Sequence, residues 1–184
     1  VRVTGVMDEE EMGRPGRIMR RRSQARSSVD NVLTVLKSNL GLRPQDYDIH
    51  VNFPGGIPID GPSAGLSMVT AIASAITNQA VDNTVAMTGE VTIHGLVKPV
   101  GGVVPKVRAA AESGITKVLI PADNWQEIFE TSNGIDVVPV KRISEVVEHV
   151  LLHSAEEQTA TPMAPRTHSD LLGASPKISP GIIP

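Results

Sequence analysis

The sequence has no cysteine among its 184 residues, which excludes disulfide scaffolds, thiolate nucleophiles, iron–sulfur clusters and cysteine-type zinc sites. That lack fits a reducing compartment. Aromatic side chains number only four, Tyr47, Phe53, Trp125 and Phe129, so a base-stacking platform for single-stranded nucleic acid is poorly supplied. Excess charge of one sign is missing too: the formal net charge of −3 gives no bulk attraction to phosphate or to an anionic membrane. No apolar run approaches the roughly 20 residues that span a bilayer. The chain begins at Val1 without a charged-then-apolar signal segment, and the expectation is a soluble domain cut from something longer. What is present is enough apolar residue, 40%, against 20% charged, to bury a core in one globular domain with a tail.

The glycines are unevenly placed. Ten of the 16 lie between Gly41 and Gly114, in pairs and beside prolines. Ahead of them, Val1 to Val6 alternates as a strand would, and an acidic run, Asp8 to Glu11, is followed by six arginines at 14, 17, 20, 21, 22 and 26. Such a run reads as a solvated face or loop paired with the acids, or as a nucleic-acid patch. Val29, Val32, Leu33, Leu36 and Leu40 recur at spacings of three and four, predicting an amphipathic helix from Ser28 to Leu40, capped by Ser27 or Ser28 and stopped by Gly41. Asp46 to Phe53 predicts a strand. Ala64 to Ile76 is apolar or small on every side, as in a helix enclosed by neighbours.

Beyond it, Val85–Met87 and Val91–Val97 predict a bulged hairpin, Gly101–Ser113 a helix, Lys117–Ile120 a strand, Asp123–Glu130 a short helix, Asp136–Val140 a strand and Ile143–Leu152 a closing helix. Alternating strand and helix predicts an α/β fold. The last 31 residues, 154–184, hold five prolines, four serines and three threonines without apolar period, the composition of a disordered tail.

The densest chemical signal is Pro54 to Gly65, PGGIPIDGPSAG, a strand end, a stiffened glycine loop and a small-residue helix. Ser63 sits where that helix begins and reads either as a cap or as a nucleophile. The first turn of the helix supplies N–H donors for developing negative charge, and Gly61 and Gly65 let a peptide approach. A nucleophile needs a base. His50, on the strand entering the loop, is one candidate. His94 has no evident partner, His168 lies in the tail, and His149 and His153 share a helix face without the glutamate of a HExxH metal motif. Lys106, in the apolar stretch Val100 to Val107, is the other: burial without a counter-charge lowers a lysine's pKa and lets the amine take a serine proton. A snorkelling surface lysine is the plainer reading.

A serine in Asp60-Gly61-Pro62-Ser63-Ala64-Gly65 followed 43 residues later by a lysine after Gly101-Gly102, with Met87-Thr88-Gly89-Glu90 and Val118-Leu119-Ile120-Pro121 in order, resembles the proteolytic domain of Lon, the ATP-dependent serine endopeptidase with a Ser-Lys dyad. The resemblance covers residues 1–152, with the tail beyond it. It implies an α/β domain over 1–153 of mixed small sheets flanked by helices, like the second domain of ribosomal protein S5, whose first strands lie before Val1. By position it implies Ser63 as nucleophile, Lys106 as general base and Thr88 as a neighbour orienting the amine. The substrate and oxyanion region becomes Gly61, Pro62 and Ala64, with Pro54-Gly55-Gly56 along the substrate path. It further implies cytoplasmic localisation, unfolded protein or peptide substrates, a homo-oligomer, hexameric in the family, and no metal or cofactor in this domain.

ATP and magnesium belong to the family's ATPase part. No GxxxxGK[ST] motif occurs here, so that ATPase is absent from this chain. Three features depart from the commonest pattern: Pro54-Gly55-Gly56 replaces Pro-Glu-Gly and loses a carboxylate, Pro105 precedes the lysine, and the arginine-rich stretch is longer, as in LonB-type bacterial enzymes. A rival reading is a non-catalytic anion or nucleotide-binding module, because the Lon-type fold is similar to that of small-molecule kinases whose glycine loop holds phosphate.

Overall fold

The first helix, α1 (Gln24–Ser38), begins about a turn earlier than the apolar spacing predicts. Ser23 caps it instead of Ser27 or Ser28: the Arg26 amide donates to the Ser23 hydroxyl at 3.3 Å. Gln24, Ala25 and Arg26 are competent helix formers, and Ala25 and Ser28 are buried, so packing draws the end of the arginine run into the helix. Its buried face is Val29, Val32, Val35 and Leu36. These pack against α2 (Gly65–Thr77), which contributes Leu66, Met68, Val69, Ile72 and Ala73 to the same core. Small residues all round predict an enclosed α2, but Ser67, Ala71 and Ala75 are exposed in a row at i, i+4 and i+8. Small side chains there border an open groove rather than a close neighbour.

The computed structural model describes residues 1–6, 9–14, 17–53, 61–131 and 134–152, with backbone alone for 9–14 and 17–22. Pro54-Gly55-Gly56 and the tail at 154–184 lie outside the described residues. Strand β1 (Arg2–Thr4) pairs in parallel with the edge of the glycine loop, through β4 (His50–Asn52). The predicted strand from Asp46 is thus shortened to its last residues, because Pro44–Asp46 forms a 3-10 turn. Between them β2 (Glu9–Arg14) and β3 (Arg17–Arg22) form an antiparallel hairpin. Its register sets Glu9, Glu10 and Glu11 opposite Arg22, Arg21 and Arg20. The acidic and basic runs meet as strand partners, a pairing that opposite charge favours.

The second half is built on a parallel sheet in the order β5 (Val85–Met87), β8 (Lys117–Pro121), β9 (Asp136–Val140). A separate antiparallel pair, β6 (Glu90–Val91) and β7 (Val97–Lys98), follows β5 in the chain. The expected bulged hairpin joining Val85–Met87 to Val91–Val97 is therefore corrected: β5 leaves for the parallel sheet, and the hairpin is confined to β6 and β7. A parallel pairing needs a crossover of about a dozen residues or more, supplied here by β6, β7 and helix α3 (Val103–Glu112). Two 3-10 turns, Ala122–Asn124 and Glu127–Phe129, replace the short helix predicted over 123–130, and α4 (Ile143–Val150) closes the described chain. Among the described residues no helix is long and apolar enough to cross a membrane.

Strand β8 is buried on both faces. Leu119 joins the core of α1, α2 and α4, whereas Val118 and Ile120 join a second core with Val103, Val107, Phe129, Ile135 and Val137. A continuous apolar run is what a central parallel strand requires. The two cores grip the sheet from opposite sides and hold the end of β5, where Thr88 follows, beside the start of α2.

Candidate active site

Ser63 occupies the turn ahead of α2. The cap residue of that helix is Ala64, without a side-chain cap bond, so the capping role open to Ser63 is not taken. Among the described residues its hydroxyl has no hydrogen-bond partner, and neither the Ser63 nor the Ala64 amide donates within the chain. Gly61 approaches the turn at φ 135°, a conformation closed to most side chains. The Pro62 carbonyl accepts from the Gly65 amide at 3.1 Å and completes the turn.

The start of α2 is pressed against the segment Thr88-Gly89-Glu90. Ala64 bridges Gly89, and the Gly89 amide donates to the Ser63 carbonyl at 3.0 Å. A Cβ on Gly65 would stand 3.0 Å from the Val91 nitrogen and 3.1 Å from the Gly89 carbonyl oxygen, both backbone atoms that cannot swing away. Glycine is required by that approach. Gly65→Ala is expected to destabilise the fold by about 1–3 kcal/mol, read as a lower urea midpoint with an unchanged m-value.

Thr88 is buried and links three elements. Its amide donates to the Leu119 carbonyl at 3.1 Å, which fixes it to β8. Its hydroxyl lies 3.4 Å from the Ser63 carbonyl as donor and accepts from Lys106 Nζ at 3.1 Å. Lys106 stands in the second turn of α3, its amide donating to the Gly102 carbonyl at 3.2 Å. Gly102 is the left-handed cap at φ 67°, and Pro105 falls in the first turn, where the missing N–H removes no helical bond. The amine is half-buried, and desolvation holds its pKa below the ordinary lysine range. Among the described residues the amine bonds Thr88 and makes no bond to Ser63 Oγ.

Ser63, Thr88 and Lys106 line one pocket of about 290 Å³, together with Ala64, Ser67 and Ala86. A serine hydroxyl, a desolvated amine and free turn amides around one space are groups of the kinds that serve as nucleophile, base and oxyanion donors. Of the substrate and oxyanion residues expected from sequence, Ala64 lines this pocket, whereas Gly61 and Pro62 shape the turn behind it. His50 is not brought there. It is exposed on β4, 3.1 Å from Thr4 Oγ1, and faces a different, larger pocket of about 560 Å³. His94 and His149 are exposed elsewhere, and His153 lies outside the described residues. Among the described residues no group of three His, Asp or Glu side chains is assembled. Ser67, one helical turn after Ser63, also lines the Ser63 pocket, a place that its spacing from Ser63 in the sequence is enough to predict.

Residues 2–153 match the family model described as the Lon protease (S16) C-terminal proteolytic domain. The chain is 52% identical over 158 residues to Lon protease 2 of Bacillus subtilis, covering 86% of this chain and 28% of that protein. It is 44% identical over 131 residues to the archaeal Lon protease of Archaeoglobus fulgidus, covering 69% and 21%, and 45% identical over 126 residues to the Lon protease of Brucella suis, covering 64% and 16%. The chain thus spans between 16% and 28% of the length of these relatives. With the match running through both cores and the Ser63–Thr88–Lys106 pocket, the chain belongs to the family of Lon protease C-terminal proteolytic domains.

Proposed function

We propose that this chain is the peptide-hydrolysing domain of an ATP-dependent Lon-type serine protease, with Ser63 as nucleophile and Lys106 as general base. The observation that carries the reading is the half-buried Lys106 amine, lowered in pKa by desolvation and 3.1 Å from Thr88 Oγ1, in the same pocket as the unpartnered Ser63 hydroxyl. Ser63 Oγ bonds to the scissile carbonyl carbon as its proton passes to the neutral amine. The Ser63 and Ala64 amides hold the oxyanion. The C–N bond then breaks, the leaving amine takes the proton from Lys106, and an ester remains on Ser63. Water repeats the sequence: Lys106 takes its proton, the ester bond breaks, and Ser63 recovers a proton from Lys106. Thr88 is a positioning residue that aims the amine.

The substrates are unfolded protein or peptide segments. In a longer protein, ATP and magnesium would serve a separate ATPase part that feeds a homo-oligomeric, hexameric chamber; the dyad itself calls for neither. The finer fold reading, a sheet arrangement like the second domain of ribosomal protein S5, rests on family membership and on the parallel β5-β8-β9 unit.

A fluorophosphonate tests the site without a peptide. Mass spectrometry of the treated chain is expected to find one covalent adduct, on Ser63, and none in Ser63→Ala. No adduct, with thermal stabilisation by nucleotide instead, would support an anion cradle and overturn the hydrolase reading.

A further inference from the structure

Helical serines and threonines that do not point to solvent can return their hydroxyls to the carbonyl four residues back. This chain does so repeatedly: Ser27 to Ser23, Thr34 to Asp30, Ser38 to Thr34, Thr77 to Ala73 and Ser113 to Ala109, at 2.8–3.1 Å. Ser67 does not. Its acceptor would be the Ser63 carbonyl, which already receives the Gly89 amide at 3.0 Å and stands 3.4 Å from the Thr88 hydroxyl. Nor does Ser67 take a bond from the Ala64 amide at the cap. Among the described residues the Ser67 hydroxyl has no hydrogen-bond partner, and the residue is exposed.

Its place gives that free hydroxyl a use. Ser67 and Ala64 line both the Ser63–Lys106 pocket and the larger groove between β4 and α2. The groove is lined by Val51, Phe53, Met68 and Ile72 and by the polar His50 and Asn52, and the wall it shares with the smaller pocket, Ala64 and Ser67, offers Ser67 as its polar side chain. A chain passing from the groove to Ser63 carries main-chain N–H and C=O groups across this threshold, each able to bond a hydroxyl there.

We propose that Ser67 is a substrate-positioning residue whose hydroxyl hydrogen-bonds the main chain of a peptide where it crosses from the groove into the Ser63 pocket. The inference rests on the hydrolase reading of that pocket. The same bond forms in the ground state and the transition state, so it acts as uniform binding.

The test compares wild type, Ser67→Ala and Ser67→Thr on an unstructured fluorogenic peptide, with fluorophosphonate labelling alongside. Alanine is the stronger helix former at this exposed site, so Ser67→Ala keeps the fold. The expected result is a KM raised about 3- to 10-fold with kcat within about twofold for Ser67→Ala, the worth of one neutral hydrogen bond. Ser67→Thr, which keeps the hydroxyl, is expected to stay within about twofold of wild-type KM, and all three proteins to label at Ser63 at equal rates. An unchanged KM in Ser67→Ala, or an equal rise in Ser67→Thr, overturns the inference. A wild type that neither labels nor cleaves overturns the hydrolase reading instead.

Discussion

Lys106→Met is expected to lower the rate of peptide hydrolysis by about 10²- to 10⁴-fold, the usual worth of a positioned general base, while the urea midpoint holds or rises. Methionine fills much the same volume without a polar head. The amine's desolvation opposes its charged form, so the folded pKa lies below the unfolded one. The folded state therefore binds fewer protons between those two values, and wild-type stability increases as pH climbs through that window. Below it the buried charge is a cost that methionine removes. Lys106→Arg is expected to be as inactive as the methionine variant, because a guanidinium does not give up its proton at any pH the fold survives. Steady-state rates with a fluorogenic peptide, beside urea titrations of the same proteins, separate the chemical effect from the structural one.

Ser63→Ala is expected to have the larger effect, a loss of about 10⁴- to 10⁶-fold, because no ester can form and only binding and the turn amides remain. Its Tm should stay within about 2 °C of wild type. The hydroxyl neither caps α2 nor bonds any described residue, so its removal costs the fold almost nothing. A large fall in Tm would assign Ser63 a structural role instead. The double variant with Lys106→Met should be no worse than Ser63→Ala alone, since the two groups act in one proton transfer.

Much of the site is legible in the sequence because its parts are local. The helix after Gly102, the buried strand Lys117–Pro121 and the turn before α2 are each written in a few adjacent residues. The apolar setting of Lys106 predicts its lowered pKa from neighbours alone. What sequence order hides is pairing. Val85–Met87 lies beside Glu90–Val91 in the chain yet hydrogen-bonds to Val118 and its neighbours, because a parallel partner sits a whole crossover away. The start of α1 is hidden differently: arginine serves a solvated loop and a helix equally well, and burial of Ala25 and Ser28 decides between them. The open face of α2 is hidden because small side chains suit both close packing and a groove wall, and Ser67 differs from the five back-bonding hydroxyls in having a carbonyl four residues back that receives the Gly89 amide from another segment.

The pH dependence of Ser63 modification tests the dyad most directly, since fluorophosphonate attack follows the nucleophile and needs no peptide contact. In wild type the labelling rate should rise with pH through an apparent pKa below that of ordinary lysine, as Lys106 loses its proton and becomes a base. In Lys106→Met that titration step should vanish and the rate fall by about 10²-fold or more. Equal rates and the same profile in both proteins would contradict the assignment of Lys106 as the base.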